Sequence, residues 1–180
     1  MKKTDKNAWF EEGMKVLKNE GFQRITIDNL CSLLQITKGS FYHYFKNIDG
    51  YIDALMKYWQ DKNTVDFIKN TEAIVDINEK YIQLHKHAAS ASQKAEQMIR
   101  AWGFSNATVL KHLQQVDEMR LEYLVKLNMQ RGYDEKEAKY RATLEYGTLV
   151  GIQQLNPDIS EKEFDDLYLL FTNQISKSQR

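Results

Sequence analysis

The stretch Thr37-Lys38-Gly39-Ser40-Phe41-Tyr42-His43-Tyr44-Phe45-Lys46 decides the fold. Thr37 suits the N-cap of a short helix, and Phe41 and Phe45, four apart, share its inner face. Lys38, Gly39, Ser40, Tyr42 and His43 are left outward, with small and polar groups leading. Upstream, Thr26 opens another short helix with apolar positions Ile27, Leu30, Cys31 and Leu34, a single buried stripe. Gln35-Ile36 breaks that stripe, with Ile36 as an apolar plug in the turn. The pair reads as a helix-turn-helix whose second helix presents its N-terminal end to a major groove.

Working outward, Lys6 to Asn19 forms a first helix ended by Gly21, and Asp49 is the expected N-cap of a fourth carrying Ile52, Leu55, Met56, Trp59 and later Phe67. Helices follow over residues 76–89, around Ala95–Trp102 to Gly103, and from Ser105 or Asn106 to Arg131-Gly132. Asp134 with Glu137 and Ser160 with Glu163 have capping-box spacing for the last two. One Pro and eight Gly in 180 residues favour long uninterrupted helices, so the expected class is all-α, with about nine helices.

The sequence resembles the TetR family of bacterial transcriptional regulators over about residues 9 to 50, and more loosely beyond. The family pattern is an apolar first helix, Gly-Phe, Thr or Ser opening helix two, a small-residue turn, then Gly-(Thr/Ser/Ala)-(Leu/Phe)-Tyr-x-(Tyr/His)-Phe. Here Trp9, Phe10, Met14 and Leu17 are followed by Gly21-Phe22, Thr26 and Lys38-Gly39-Ser40-Phe41-Tyr42-His43-Tyr44-Phe45, without a gap. Two positions depart: Gln35 stands where the turn usually has Gly, and Ile48 where a phosphate-binding Lys is common, so phosphate affinity leans on Lys46 and Tyr42.

The resemblance implies a DNA-binding head over 1–48, a connecting helix over about 49–69, and an effector-binding and dimerisation body over 70–180. It implies a homodimeric, ligand-responsive regulator, a repressor, on a palindromic double-stranded DNA operator. Lys38, Gly39 and Ser40 are candidates for base edges, and Thr26, Tyr42 and Lys46 for phosphates. Thr37 caps the reading helix, His43 suits either role, and Tyr44 suits either or packs within the head.

In the body, aromatic residues at helical spacing ordinarily build core. The resemblance adds an expected pocket among Trp59, Tyr81, His85, Met98, Trp102, Met119, Arg120 and Tyr123, for a small-molecule effector that is largely apolar or aromatic. Arg120 lies on an apolar stripe, so it is expected to pair with Asp117 or Glu145, or to clamp a ligand carboxylate. Thr143, Gly147 and Gly151 recur every four residues and would let another helix approach closely. Phe164, Leu167, Tyr168, Phe171 and Ile175, with Leu169 and Leu170 between, leave the last helix little polar face. These two helices are the expected dimer interface, against the blander reading of a core helix.

Composition narrows the rest. Net charge is zero, with eight Lys/Arg against five Asp/Glu in residues 1–46. Cys31 excludes an intrachain disulfide and reads as a buried hydrophobe. The N-terminus lacks the apolar run of a signal peptide, and no segment approaches the ~20 apolar residues of a membrane span, so a cytoplasmic protein without membrane contact is expected. His85 and His87, two apart, point in different directions and do not suggest a metal. No nucleophile elbow, phosphate loop or acid pair is present, so neither catalysis nor a cofactor is expected. Ile48 and the modest basic charge motivate the competing reading, a helical small-molecule-binding or protein-interaction module with weakened DNA binding.

Overall fold

The computed structural model describes residues 5–177, with side chains described through Phe171, and is helical without strands over that range. In chain order the helices are α1 (Lys6–Glu20), α2 (Ile27–Leu34), α3 (Lys38–Tyr44), α4 (Ile48–Gln60), α5 (Asp66–Glu72), α6 (Ile77–Ser90), α7 (Gln93–Gly103), α8 (Ala107–Gln130), α9 (Glu135–Leu155) and α10 (Glu161–Lys177). A π-helical segment, Asp61–Val65, separates α4 from α5. Counted as one interrupted helix, α4 and α5 make nine helices among the described residues, the all-α architecture expected.

Local chemistry sets most boundaries. Asp5, Thr26, Thr37, Asp76 and Asp134 each accept the backbone N–H three residues on, satisfying a donor that the first turn leaves free. Ser160 and Glu163 form a reciprocal capping box. Gln35 closes α2 at φ 55°, a left-handed conformation at the position where glycine is the easier residue. One expectation is corrected: Asn47, not Asp49, caps α4, its Oδ1 accepting from Gly50 N at 2.8 Å. The π segment was also unforeseen. In it, Asn63 Nδ2 donates to the Trp59 carbonyl at 3.0 Å, occupying an acceptor of the preceding turn.

The chain divides by packing into two compact units. One takes in the chain to Asp66 together with Lys94–Met119; the other takes in Phe67–Gln93 and the chain from Arg120 on. In the first, α1 packs on α2 and α4, and α2 on α3. Its core is aromatic. Trp9 meets Phe41 and Phe45 edge-on at 5.3 and 6.0 Å, and Tyr51 meets Phe45 at 5.0 Å. Each such side chain contributes about 1.5–3 kcal/mol by leaving water. Tyr51 Oη donates to the Trp9 carbonyl at 2.8 Å, so its one polar atom is satisfied in the interior. Burial pushes that phenol's pKa well up. Gly13 is required by this arrangement: a Cβ there would lie 2.1 Å from Tyr51 Oη. Ile99, Trp102, Val109, Leu113 and Val116, from α7 and α8, complete the core.

In the second unit α6 packs on α10. Tyr81, Tyr123 and Leu127 form one buried group with Phe67, Ile68, Ile77 and Leu84 around it. Ala89, Phe164 and Tyr168 form another, and Leu124, Ala142 and Tyr146 a third.

Candidate nucleic-acid interface

The turn between α2 and α3 divides α3 into two faces. Phe41 and Phe45 are buried in the aromatic core, while Lys38, Gly39, Tyr42, His43 and Lys46 are exposed and Ser40 half-exposed. Tyr42 crosses the edge of Phe41 at 5.6 Å and remains 55% exposed, so its ring is braced from below and its hydroxyl end is in solvent. Tyr44 is half-buried against the core and lies edge-on to His43 at 4.9 Å. Thr37 Oγ1 lies 3.4 Å from Ser40 N, and Thr26 Oγ1 accepts from Asn29 N at 3.2 Å. Both threonines therefore hold the starts of the two helices as well as standing on the outer surface. A Cβ at Gly39 would meet nothing closer than Thr37 Oγ1 at 3.5 Å, so folding does not require glycine there. Ile48, where the resemblance expects a lysine, packs against the core from the first turn of α4. Cys31 is buried on the inner stripe of α2, and burial raises its thiol pKa.

Sequence reasoning missed two neighbours of this surface. Asp28, in the first turn of α2, accepts from Lys38 Nζ at 2.5 Å. Arg24 lies beside the start of α2, donating to Asn29 Oδ1 and Glu20 Oε2, both at 3.3 Å. Ten residues and a turn separate Asp28 from Lys38, so no local spacing rule could pair them. Arg24 had only its charge as a signal.

The connecting region is anchored within the first unit. Buried His112 of α8 bridges two turns of α4, with Nδ1 3.0 Å from Gln60 Oε1 and Nε2 2.9 Å from Asp53 Oδ1. Trp59 Nε1 donates to buried Glu96 at 3.0 Å. Arg100 makes a bidentate pair with Asp117 at 2.9 and 2.7 Å. Asp117, one of the partners considered for Arg120, is thus engaged by Arg100.

Of the eight expected pocket residues, Trp59, Met98, Trp102 and Met119 belong to the first unit and Tyr81, His85, Arg120 and Tyr123 to the second. Trp102 stacks on Phe22 at 5.7 Å, and Met98 and Met119 are half-buried. Tyr123 Oη donates to Thr71 Oγ1 at 2.7 Å. Tyr81 lies under the Arg131 guanidinium, 3.3 Å from its ring centroid, with its own hydroxyl buried and without a hydrogen-bond partner among the described residues. His85 lies edge-on against Tyr168, and burial lowers its pKa to about 4. His87 instead stacks on Phe67 at 4.2 Å. Arg120 is half-buried, and Tyr168 donates to the buried carboxylate of Glu145, the other partner considered for it.

Two clefts lie wholly in the second unit. One, about 560 Å³ and shallow, is lined by Leu121, Val125 and Met129 with Lys126 and Lys139 beside them. The other, about 430 Å³, runs between α6 and the start of α10, past Gln83, Lys86 and Asp165. None of the eight expected residues lines either.

On the expected dimer face, Thr143 and Gly147 are exposed and Gly151 half-exposed, and a Cβ at either glycine would meet nothing within 4 Å. Phe164 and Tyr168 turn inward and pack within the unit, leaving Leu167, Leu169 and Leu170 outward and Phe171 half-exposed. The Ile175 side chain lies outside the described residues.

A helix-turn-helix with a polar outer face has the shape of a unit that enters a major groove. Residues 10–55 match the family model of bacterial regulatory proteins, tetR family. The fold is that of a TetR transcriptional regulator from Legionella pneumophila, at 13% identity and TM-score 0.82, over 97% of this chain and 99% of that one. A TetR transcription regulator from Haloarcula marismortui is similar at 13% identity and TM-score 0.76, over 93% and 94%. The fatty acid degradation regulator FadR from Bacillus halodurans is similar at 16% identity and TM-score 0.68, over 91% and 93%. No curated protein matches the sequence. The head thus matches the tetR-family model over residues 10–55, and the course of the helices is similar to that of solved TetR regulators. No described helix is long and apolar enough to cross a membrane.

Proposed function

We propose that this is a cytoplasmic, ligand-responsive repressor that binds a palindromic DNA operator as a homodimer and catalyses no reaction. The observation that carries this reading is the division of α3, with Phe41 and Phe45 buried and Lys38, Gly39, Tyr42, His43 and Lys46 exposed. Residues 1–48 are the reading head, about 49–69 the connection, and 70–180 the body that binds effector and dimerises. The N-terminal turn of α3 enters the major groove, with Lys38, Gly39 and Ser40 toward base edges, and Thr26, Tyr42 and Lys46 toward phosphates. Two copies pair through α9 and α10 at Thr143, Gly147, Gly151, Leu167 and Leu170, and this two-fold symmetry suits palindromic half-sites about one turn of DNA apart. An effector, largely apolar or aromatic to suit the aromatic side chains of the body, releases the operator if it binds better to the arrangement that does not fit DNA.

Selection of bound sequences from a random duplex library, followed by a salt titration on the winner, tests the reading. A palindrome bound with steep salt dependence is expected. No enrichment by folded, dimeric protein, with or without cell extract to supply an effector, would leave the head without a reading function. Tyr42→Ala and Lys46→Ala should each weaken binding to all sequences and lower its salt dependence, with the loss of the Lys46 charge lowering the salt slope by about one, whereas Lys38→Ala should relax sequence preference.

A further inference from the structure

Between Gly21 and Asn47 the sequence carries one acidic residue, Asp28. Its carboxylate reaches across from α2 to the first turn of α3 and holds the ammonium of Lys38 at 2.5 Å. Both side chains are largely in solvent, at 74% and 61% exposure. A pair in that setting contributes little to folding. The helices it joins already have threonine caps and an aromatic core beneath them.

The cost of the pair falls on DNA binding. A carboxylate on a surface approached by phosphates lowers affinity for every sequence unless it meets a hydrogen-bond donor there. The major groove offers such donors at base edges, among them the N4 amine of cytosine, while guanine O6 and N7 accept from lysine. Asp28 and Lys38 thus carry the two polarities that a G·C pair presents.

Resting on the DNA-reading assignment above, we propose that Asp28 is a specificity-determining residue. On non-cognate DNA it retains the Lys38 ammonium and withholds it from phosphates. On the operator the pair opens toward G·C pairs, with Lys38 donating to guanine and Asp28 accepting from the cytosine amine. Discrimination is gained at the expense of sequence-blind affinity.

The full chain is tested as wild type, Asp28→Asn, Asp28→Ala and Lys38→Ala. Each is measured by sequence selection, by salt titration on a mixed-sequence duplex, and by thermal melting. Both Asp28 variants are expected to bind the mixed-sequence duplex about three- to tenfold more tightly and to steepen the salt slope by about one, because one more phosphate contact becomes available. They and Lys38→Ala should lose preference at the same or adjacent G·C positions of each half-site. Melting within a few degrees of wild type shows that the helix start, which also gains from a carboxylate in its first turn, is intact. A folded Asp28→Asn with an unchanged motif and salt slope overturns the proposal while leaving the reading head intact. A wild type that selects no sequence overturns both.

Discussion

Trp9, Phe41, Phe45 and Tyr51 meet ring against ring in the first unit, and the phenol among them is answered by a backbone carbonyl. In the second unit Tyr81, His85 and Tyr168 have charged neighbours instead, in Arg131 and the buried Glu145. Among the described residues, Tyr81 Oη and Gln153 Oε1 are buried there without a hydrogen-bond partner, as Trp9 Nε1 is in the first unit. The aromatic cluster under α3 is specified by shape, so small changes of volume there are costly, while the polar bonds of Glu96 and His112 lie elsewhere in the same unit. The second interior is specified partly by hydrogen bonds and charge, whose strength changes with protonation and with what binds nearby. Under the function proposed above, a reading head gains from the former, because base contacts tolerate little displacement, and an effector-binding body gains from the latter.

The sharpest test of the first interior is Gly13→Ala. The added methyl must displace Tyr51 or move α1 from α4, and should cost about 2–3 kcal/mol, or roughly 5–10 °C in melting temperature. An unchanged melt would mean that the head has slack, and the contrast between the interiors would fail. Tyr168→Phe probes the second interior by removing the donor that Glu145 uses. It should cost about 1–3 kcal/mol, read by denaturant titration at neutral pH. Glu145→Gln should be milder, because burial already raises that carboxyl's pKa and disfavours its charge.

His85 supplies a pH dependence. Its folded pKa, about 4, lies below the ordinary 6.5, so the unfolded chain binds more protons between those values. Stability from this group is full above about pH 6.5 and declines as pH falls toward 4. Asp165 opposes the shift and Arg131 adds to it. His85→Gln should flatten the acid side of the stability curve, and an unaltered curve would remove His85 from the polar interior. The smallest effect is expected from Gly147→Ala and Gly151→Ala. An added Cβ would meet nothing within 4 Å beyond its own helix backbone among the described residues, so each should stabilise the isolated helix by about 0.5–1 kcal/mol. Sedimentation should show weaker self-association if this is the dimer face.

The head was largely legible because its information is local. Thr26, Thr37, Phe41 and Phe45 lie within one or two helical turns of what they cap or pack against, and Gln35 at positive φ followed from its place in the turn. The misreadings have physical reasons. Asn47 and Asp49 are both competent caps by residue type, and α4 begins at Ile48, so that Asn47 receives the free Gly50 N–H. The π segment carries no sequence signal of that kind; in it Asn63 donates to the Trp59 carbonyl. The Arg100–Asp117 pair, which no expectation covered, spans seventeen residues and a change of helix, out of reach of any spacing rule.

The sequence by itself therefore determined the helical class, the order of the elements, the caps of α2 and α3, and the inward and outward faces of the reading helix. Each of these follows from side chains a few residues apart. Only the tertiary structure decided that Asp28 holds Lys38, that His112 clamps α4, and that Phe164 and Tyr168 turn inward while Leu167 and Leu170 remain outside. Those pairings join residues distant along the chain. Periodicity shows that a face is apolar, but the packing of whole helices selects what lies against it.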